Sequence, residues 1–260
     1  MPPTISYETF SGEDMNEDML QQAADLFSSN YGVWGKGASE KMGKWAKAGN
    51  RVKMSAAKLR AQCLPKNAEG QSTYVRVLSD GKLVGNLFAC RWDVVFSGTK
   101  GKMCWITQLV VASGHRQQGL ASGLLNVLRR TDDLYYGIMS SHPAACLAAA
   151  KAFARGGIEH IDVDLLKGAE PLMKESPVEY VREAKLHGDI WEQNVQDGSV
   201  ALADSGFWVD HVEALDALSD VKEDLSWPLG DLLEGHEFLL VLHHKKRGSS
   251  SPRALKKQQT

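Results

Sequence analysis

The run Arg116-Gln117-Gln118-Gly119-Leu120-Ala121-Ser122 holds the clearest chemistry in the 260-residue chain. It follows an apolar stretch, Ile106 to Val111, and opens a leucine-rich one, so it reads as the loop between a strand and a helix. The first turn of a helix has backbone N–H groups without intrahelical acceptors and carries the positive end of the helix dipole. A pyrophosphate is a natural ligand there. Gly119 and Ala121 keep side-chain bulk away from the backbone, so phosphate oxygens can approach it closely. On the preceding strand, the backbone of Leu109, Val110 and Val111 can pair with an amide-containing arm of the same ligand, as an added strand pairs with a sheet edge. A plain strand–turn–helix, with Gly119 serving tight packing, is the competing reading.

Other residues have the chemistry to move protons. Asp210-His211 lies beside Phe207 and Trp208, and such a pair suits removal of a proton from an ammonium group. Asp210 equally suits the cap of a helix that begins at His211. Gly235-His236-Glu237 is a second candidate segment. Tyr31-Gly32-Val33-Trp34-Gly35-Lys36-Gly37 is aromatic and glycine-rich, fitting either an acceptor-binding loop or a packed turn.

The elements that must position these groups follow from periodicity. The pattern predicts a strand over 4–10, then an amphipathic helix from Glu13 that buries Met19, Ala23, Leu26 and Phe27 and stops near Asn30-Tyr31-Gly32. One or two helices with basic faces are expected over 36–63. A meander comes next, with strands over 73–78, 83–95 and 103–111 joined by an Asp80-Gly81 turn and a polar turn at 97–102. A helix over 116–130, a strand over 134–140 and an alanine-rich helix over 143–153 continue the chain, with Pro143 in a first-turn position. Beyond Arg155 the pattern predicts a strand over 158–166, a helix over 177–187, a strand over 199–210 broken at Gly206, a helix over 211–218 and a last strand over 237–243. This order is an α+β pattern: a mixed, mainly antiparallel sheet flanked by helices. Residues 1–244 read as a single domain with an insert at about 155–230, and 245–260 as a disordered basic tail whose Lys245-Lys246-Arg247 resembles a weak nuclear-import signal.

With 43% hydrophobic and 24% charged residues, the chain has a globular, soluble composition. A net charge of -2 argues against nucleic acid or an anionic membrane as partner, although a balanced total can conceal a local patch. The N-terminus has no signal-peptide pattern and no segment approaches ~20 uninterrupted apolar residues, which points to a cytoplasmic protein, also nuclear if the tail is read as a signal. The four cysteines, Cys63, Cys90, Cys104 and Cys146, lack the spacing of a disulfide framework or zinc site, so no metal is expected.

Together these features resemble the GNAT superfamily of N-acetyltransferases. Arg116 to Ala121 fits that family's Gln/Arg-x-x-Gly-x-Gly/Ala motif at its three fixed positions, and His142 to Phe153 is similar to the family's later helix. The resemblance covers about 73–153 well, and the whole chain looks similar to fungal members with a long insert before the last strand. It implies acetyl-CoA as co-substrate, no metal, and transfer of the acetyl group to a primary amine in a ternary complex. Leu109, Val110 and Val111 would bind the pantetheine arm or acetyl group, Arg116, Gln117, Gln118, Gly119, Leu120, Ala121 and Ser122 would cradle the pyrophosphate, and His142 would lie near the cofactor arm. The family's usual acid and base positions fall at Ala148 and Trp105, which cannot serve. Asp210, His211 and His142 are therefore the candidate proton-transfer residues, and Cys146 would need a nearby base to act as a nucleophile. A lid-like insert favours a small-molecule amine acceptor and a monomer or homodimer. A protein lysine or N-terminal amine, a longer acyl donor, and a non-catalytic acetyl-CoA sensor are the alternatives.

Overall fold

A computed structural model describes residues 2–244; the expected tail over 245–260 lies outside the described residues. In chain order the elements are β1 (Ile5–Ser11), α1 (Glu17–Asn30), α2 (Ala38–Lys41), α3 (Ala56–Cys63), β2 (Ser72–Ser79), β3 (Lys82–Phe96), β4 (Thr99–Val111), α4 (Leu120–Leu128), β5 (Asp133–Ser140) and α5 (Pro143–Phe153). They continue with α6 (Val163–Lys167), α7 (Ala169–Lys174), α8 (Glu179–Arg182), β6 (Lys185–His187), β7 (Leu202–Asp204), α9 (Val212–Asp224) and β8 (His236–His243). The eight strands form one sheet in the order β1-β2-β3-β4-β5-β8-β7-β6. Every neighbouring pair is antiparallel except β4 and β5. No helix of the described residues is long and apolar enough to cross a membrane.

The first half of the chain follows its periodicity closely. The first helix starts at Glu17 rather than Glu13, because the Asn16 side chain accepts a hydrogen bond from the Met19 N–H at 2.9 Å and caps it. Leu20, Ala23, Ala24, Leu26 and Phe27 are its buried stripe. The basic stretch 36–63 holds only a four-residue α2 and an eight-residue α3, since Gly43 and Gly49 take positive φ (108° and 78°) and break any longer helix. The helix expected over 116–130 is confined to 120–128, because Gln117 and Gly119 are left-handed (φ 61° and 78°) and Arg129 is extended.

Beyond Arg155 the expectations fail more often. The strand expected over 158–166 is a tight turn followed by α6, nucleated by Asp162, whose carboxylate accepts from the Asp164 and Leu165 amides at 3.1 Å. The helix expected over 177–187 is one turn of helix and then β6. The strand expected over 199–210 shrinks to the three residues of β7.

The base of the β4–β5 pair is held by a buried ion pair. Arg91 donates from Nε to Asp133 Oδ1 at 2.8 Å and from an Nη to Oδ2 at 3.0 Å. Its remaining donors reach Thr73 Oγ1 at 2.9 Å and the Leu128 carbonyl at 2.8 Å, while the Tyr136 hydroxyl donates to Asp133 at 2.9 Å. A pair this deeply buried is tolerable only because its hydrogen-bonding capacity is met, and removing one partner typically costs ~3–5 kcal/mol. It clamps the end of α4 and the start of β5 to β3.

Candidate active site

At the opposite end the same two strands part. β4 pairs with β5 only from Lys102 to Ile106, ending at the Ile106–Ile138 pairing, yet β4 runs on to Val111 and β5 to Ser140. Just before the gap, the buried Trp105 ring lies over Gly137, where a Cβ would collide with it. Trp105 is thus core, stacked near Trp92 with ring centroids 6.2 Å apart, and it holds the closed end of the wedge. A register shift against β3 between Phe88 and Ala89 leaves Thr107 as a bulge at the point of parting. On its other side β5 stays paired with β8 throughout, from Tyr135–His243 to Ser140–Phe238.

One side of the gap is the loop before α4. The first helical bond runs from the Gly123 N–H to the Gly119 carbonyl at 2.9 Å, so the amides of Leu120, Ala121 and Ser122 have no intrahelical acceptor. A Cβ on Gly119 would meet nothing within 4 Å, so open space lies over the backbone there. Left-handed Gln117 and Gly119 turn the loop around that space. This arrangement fits a pyrophosphate, and a nine-residue α4 is long enough to carry a dipole. Asn30 at the end of α1 fixes the loop's position: its Oδ1 accepts from the Ser113 amide at 2.9 Å and its carbonyl from an Arg116 Nη at 2.7 Å.

Arg116 therefore works mainly as a brace, and its other Nη pairs with Glu213 near the start of α9. His142 caps α5, its Nδ1 accepting from the Ala144 amide at 3.2 Å, and its Nε2 lies 3.9 Å from the same Glu213 carboxylate. Burial lowers the His142 pKa, Glu213 opposes that shift and Arg116 adds to it, which keeps the ring neutral near pH 7. Glu213 thus spans the N-terminal ends of α4 and α5, between which a ligand arm must pass.

The other side of the gap is a cavity of about 160 Å³. Phe27 and Tyr31 of α1, Gln62 and Cys63 of α3, and Met54 before α3 form one wall. Ile106 to Leu109 of β4, Ile138 to Ser140 of β5 and Ala145 of α5 line the gap itself, and Tyr180, Ser205, Phe207 and Glu237 close the far side. Gln108 Oε1 in this lining is buried without a protein partner, while Thr107 Oγ1 faces the Cys63 thiol and Ser205 Oγ the Glu237 carboxyl. Tyr180 of α8 donates its hydroxyl to the Thr107 carbonyl at 2.9 Å, across the parted edge of β4.

Glu237, at the second position of β8, is the carboxyl group of this lining. Burial raises its pKa, and the nearby Ser205 hydroxyl only partly offsets that. Its charge is felt by three neighbours, raising the pKa values of Tyr31, Tyr180 and Cys146 beyond what burial alone does. Tyr31 stays a neutral phenol, raised first by burial, with Ser141 acting against the shift. The Cys146 thiol is pushed up to about 12, which leaves too little thiolate for a nucleophile.

Of the residues expected to hold a cofactor, Leu109 is in the cavity lining, and Arg116 and His142 meet through the shared Glu213 carboxylate. Asp210 and His211 are not in the cavity lining. Asp210 is exposed and accepts from the Val212 amide at 3.0 Å, a turn just before α9, whose N-cap is His211 and not Asp210. His211 is buried, and burial depresses its pKa. Glu237 lies in a segment the sequence marks, but nothing in its spacing distinguishes it from His236. Tyr180 has no signal in the sequence at all. A larger cavity of about 380 Å³, lined by Ala154, Arg155, His160, Ile161, Asp162 and 242–244, shares no residue with this site.

A helix start with unpaired amides thus stands beside a parted parallel strand pair, and a cavity holding Glu237 lines the parted strands. Residues 40–156, just under half of the chain, match the Acetyltransferase (GNAT) family. No curated protein sequence matches the chain significantly. Similar solved structures include an aminoglycoside acetyltransferase from an uncultured soil metagenomic sample, with 22% identity over 48% of this chain and 69% of that one and a TM-score of 0.28. A ribosomal-protein-alanine N-acetyltransferase from Brucella melitensis biovar Abortus 2308 has 17% identity over 48% and 69%, with a TM-score of 0.29. Saccharomyces cerevisiae N-myristoyltransferase with bound myristoyl-CoA has 18% identity over 52% and 31%, with a TM-score of 0.37. Likeness at this level carries no argument about the acceptor.

Proposed function

We propose that the protein transfers the acetyl group of acetyl-CoA to a primary amine by direct attack in a ternary complex, with Glu237 as general base. The parting of β4 from β5 beyond Ile106–Ile138 carries this reading, because the parted strand ends line the Glu237 cavity and β4 leads on into the loop before α4. The amides of Leu120, Ala121 and Ser122 hold the pyrophosphate, and the backbone of Leu109 to Val111 aligns the pantetheine arm. When bound, acetyl-CoA supplies the activated acyl group. The amine nitrogen forms a bond to the carbonyl carbon, the carbon–sulfur bond breaks, and the amine's excess proton passes to the Glu237 carboxylate. Tyr31, a neutral phenol in the same cavity, is the donor available to the departing thiolate. A base whose pKa is raised toward the working pH is better matched to an ammonium proton than an ordinary carboxylate. Tyr180 is a positioning residue that holds the bulged edge of β4 through the Thr107 carbonyl. The insert that favours a small-molecule acceptor in the sequence supplies Tyr180, Ser205 and Phe207 to the cavity wall.

Amine-dependent release of free thiol from acetyl-CoA, measured over a panel of small and peptide amines, tests this reading. Release that depends on the amine supports it. Tight acetyl-CoA binding with no release from any amine replaces it with the sensor alternative.

A further inference from the structure

The mouth of the acceptor cavity carries a charge imbalance that the total of -2 conceals. Between residues 36 and 60 there are eight Lys and Arg and a single acidic residue, Glu40. Among the described residues no carboxylate pairs with Lys36, Lys44, Lys47, Arg51 or Lys53, all exposed. In their midst stands Trp45, 59% exposed, whose flat ring gives the basic patch an apolar centre. Lys58 lies over its ring at 5.8 Å.

This segment adjoins the cavity wall, since Met54, next to Lys53, is part of the lining. Trp45 meets Trp34 edge-on with centroids 5.2 Å apart, Trp34 meets Phe207 at 5.4 Å, and Phe207 meets Tyr31 at 5.6 Å. Phe207 and Tyr31 are cavity wall, so a packed row of rings, with Trp34 buried at its centre, ties the base of the basic patch to that wall. The cavity, at about 160 Å³, is well below the ~300–1,000 Å³ of sites that enclose a whole small molecule. It has room for an amine on a short stem, and the rest of the acceptor must lie outside. A small-molecule amine would fill it and leave the patch without a role.

Building on the acetyl-transfer reading, we infer that the acceptor is an acidic peptide: its amine enters between Tyr31 and Glu237 while Asp and Glu side chains beside it lie on the Lys44–Lys47–Arg51 surface around Trp45. Opposite charge across such a contact raises encounter rate and specificity and is screened by salt. Basic peptides and polycationic amines are repelled from the same mouth.

The test uses three peptides with one common amine and acidic, neutral or basic flanks, assayed for thiol release from acetyl-CoA. The expected kcat/KM for the acidic peptide exceeds the neutral one by about tenfold or more, through KM, and the advantage shrinks in high salt. A triple charge reversal, Lys44→Glu, Lys47→Glu and Arg51→Glu, should abolish that preference while leaving the Kd for acetyl-CoA unchanged, which also reports that the variant folds. Equal kcat/KM for acidic and basic peptides overturns the inference, as does turnover of small amines alone. A weakened acetyl-CoA Kd in the triple variant overturns it too, by assigning the patch to the cofactor's phosphates. If no amine releases thiol, the acetyl-transfer reading fails, and anisotropy of a fluorescent acidic peptide then judges the surface separately. Patch-dependent binding of that peptide keeps the surface claim; binding only of single-stranded DNA or RNA overturns it.

Discussion

On the cofactor side of the parted strands, the site comes from residues 109–122 with His142 close behind, inside the stretch that matches the family. On the acceptor side the wall is drawn from α1, α3, α8, the turn at 205–207 and β8, and Tyr31, Tyr180 and Glu237 all fall outside that stretch. In the proposed reaction the first half binds through backbone amides, which any sequence permitting the loop can supply. The second half depends on particular side chains brought together by tertiary folding. What teaches most is the division of labour: one surface is set by backbone shape, the other by side-chain chemistry, and each is open to separate attack.

The largest separation between the halves is expected from Glu237→Gln. Removing a general base should lower kcat by ~10²–10⁴-fold, with little change in acetyl-CoA affinity. The same variant should gain thermal stability near pH 7. The raised pKa means the folded protein favours the neutral carboxyl, so wild-type stability falls as pH rises from the unfolded value of 4.5 through the raised one. Gln carries no such charge, and its Tm advantage should vanish toward pH 4.

Next in size is Gly119→Trp. An indole over the open face of the loop should weaken acetyl-CoA binding by about 100-fold, the loss of one or two charge-assisted backbone hydrogen bonds. Calorimetry reads this directly, and unchanged affinity would sink the phosphate assignment. Tyr180→Phe should act on the joint between the two halves. It leaves the Thr107 carbonyl unpartnered, at about 1–3 kcal/mol, and should lower kcat by up to about tenfold more than it raises KM. The smallest effect belongs to Glu213→Gln, which frees Arg116 and removes a carboxylate from the cofactor's path. Exposed ion pairs are worth ~0.2–1 kcal/mol, so acetyl-CoA affinity should rise by no more than about fivefold.

The same division governs what the sequence makes legible. The loop at 116–122 can be read from a linear run because strand, glycine and helix start must be contiguous for its amides to converge. The meander can be read because β2, β3 and β4 are long and joined by tight turns. Glu237 cannot be singled out in that way, since its role depends on β8 inserting beside β5 and on burial that only the assembled fold creates. Asp210 shows the converse: an Asp–His pair with apt chemistry proves to be the start of a helix, its carboxylate spent on a backbone amide. Beyond Arg155, short helices and three-residue strands carry too little periodicity to identify, and side-chain caps such as Asp162 decide the local structure.

The most direct test is a calorimetric titration of acetyl-CoA into the Glu237→Gln protein, followed by the thiol-release assay on the same sample. Wild-type affinity together with loss of amine-dependent release is the expected result. Retained turnover, or loss of binding along with turnover, would contradict the separation of a backbone-built cofactor half from a Glu237-centred acceptor half.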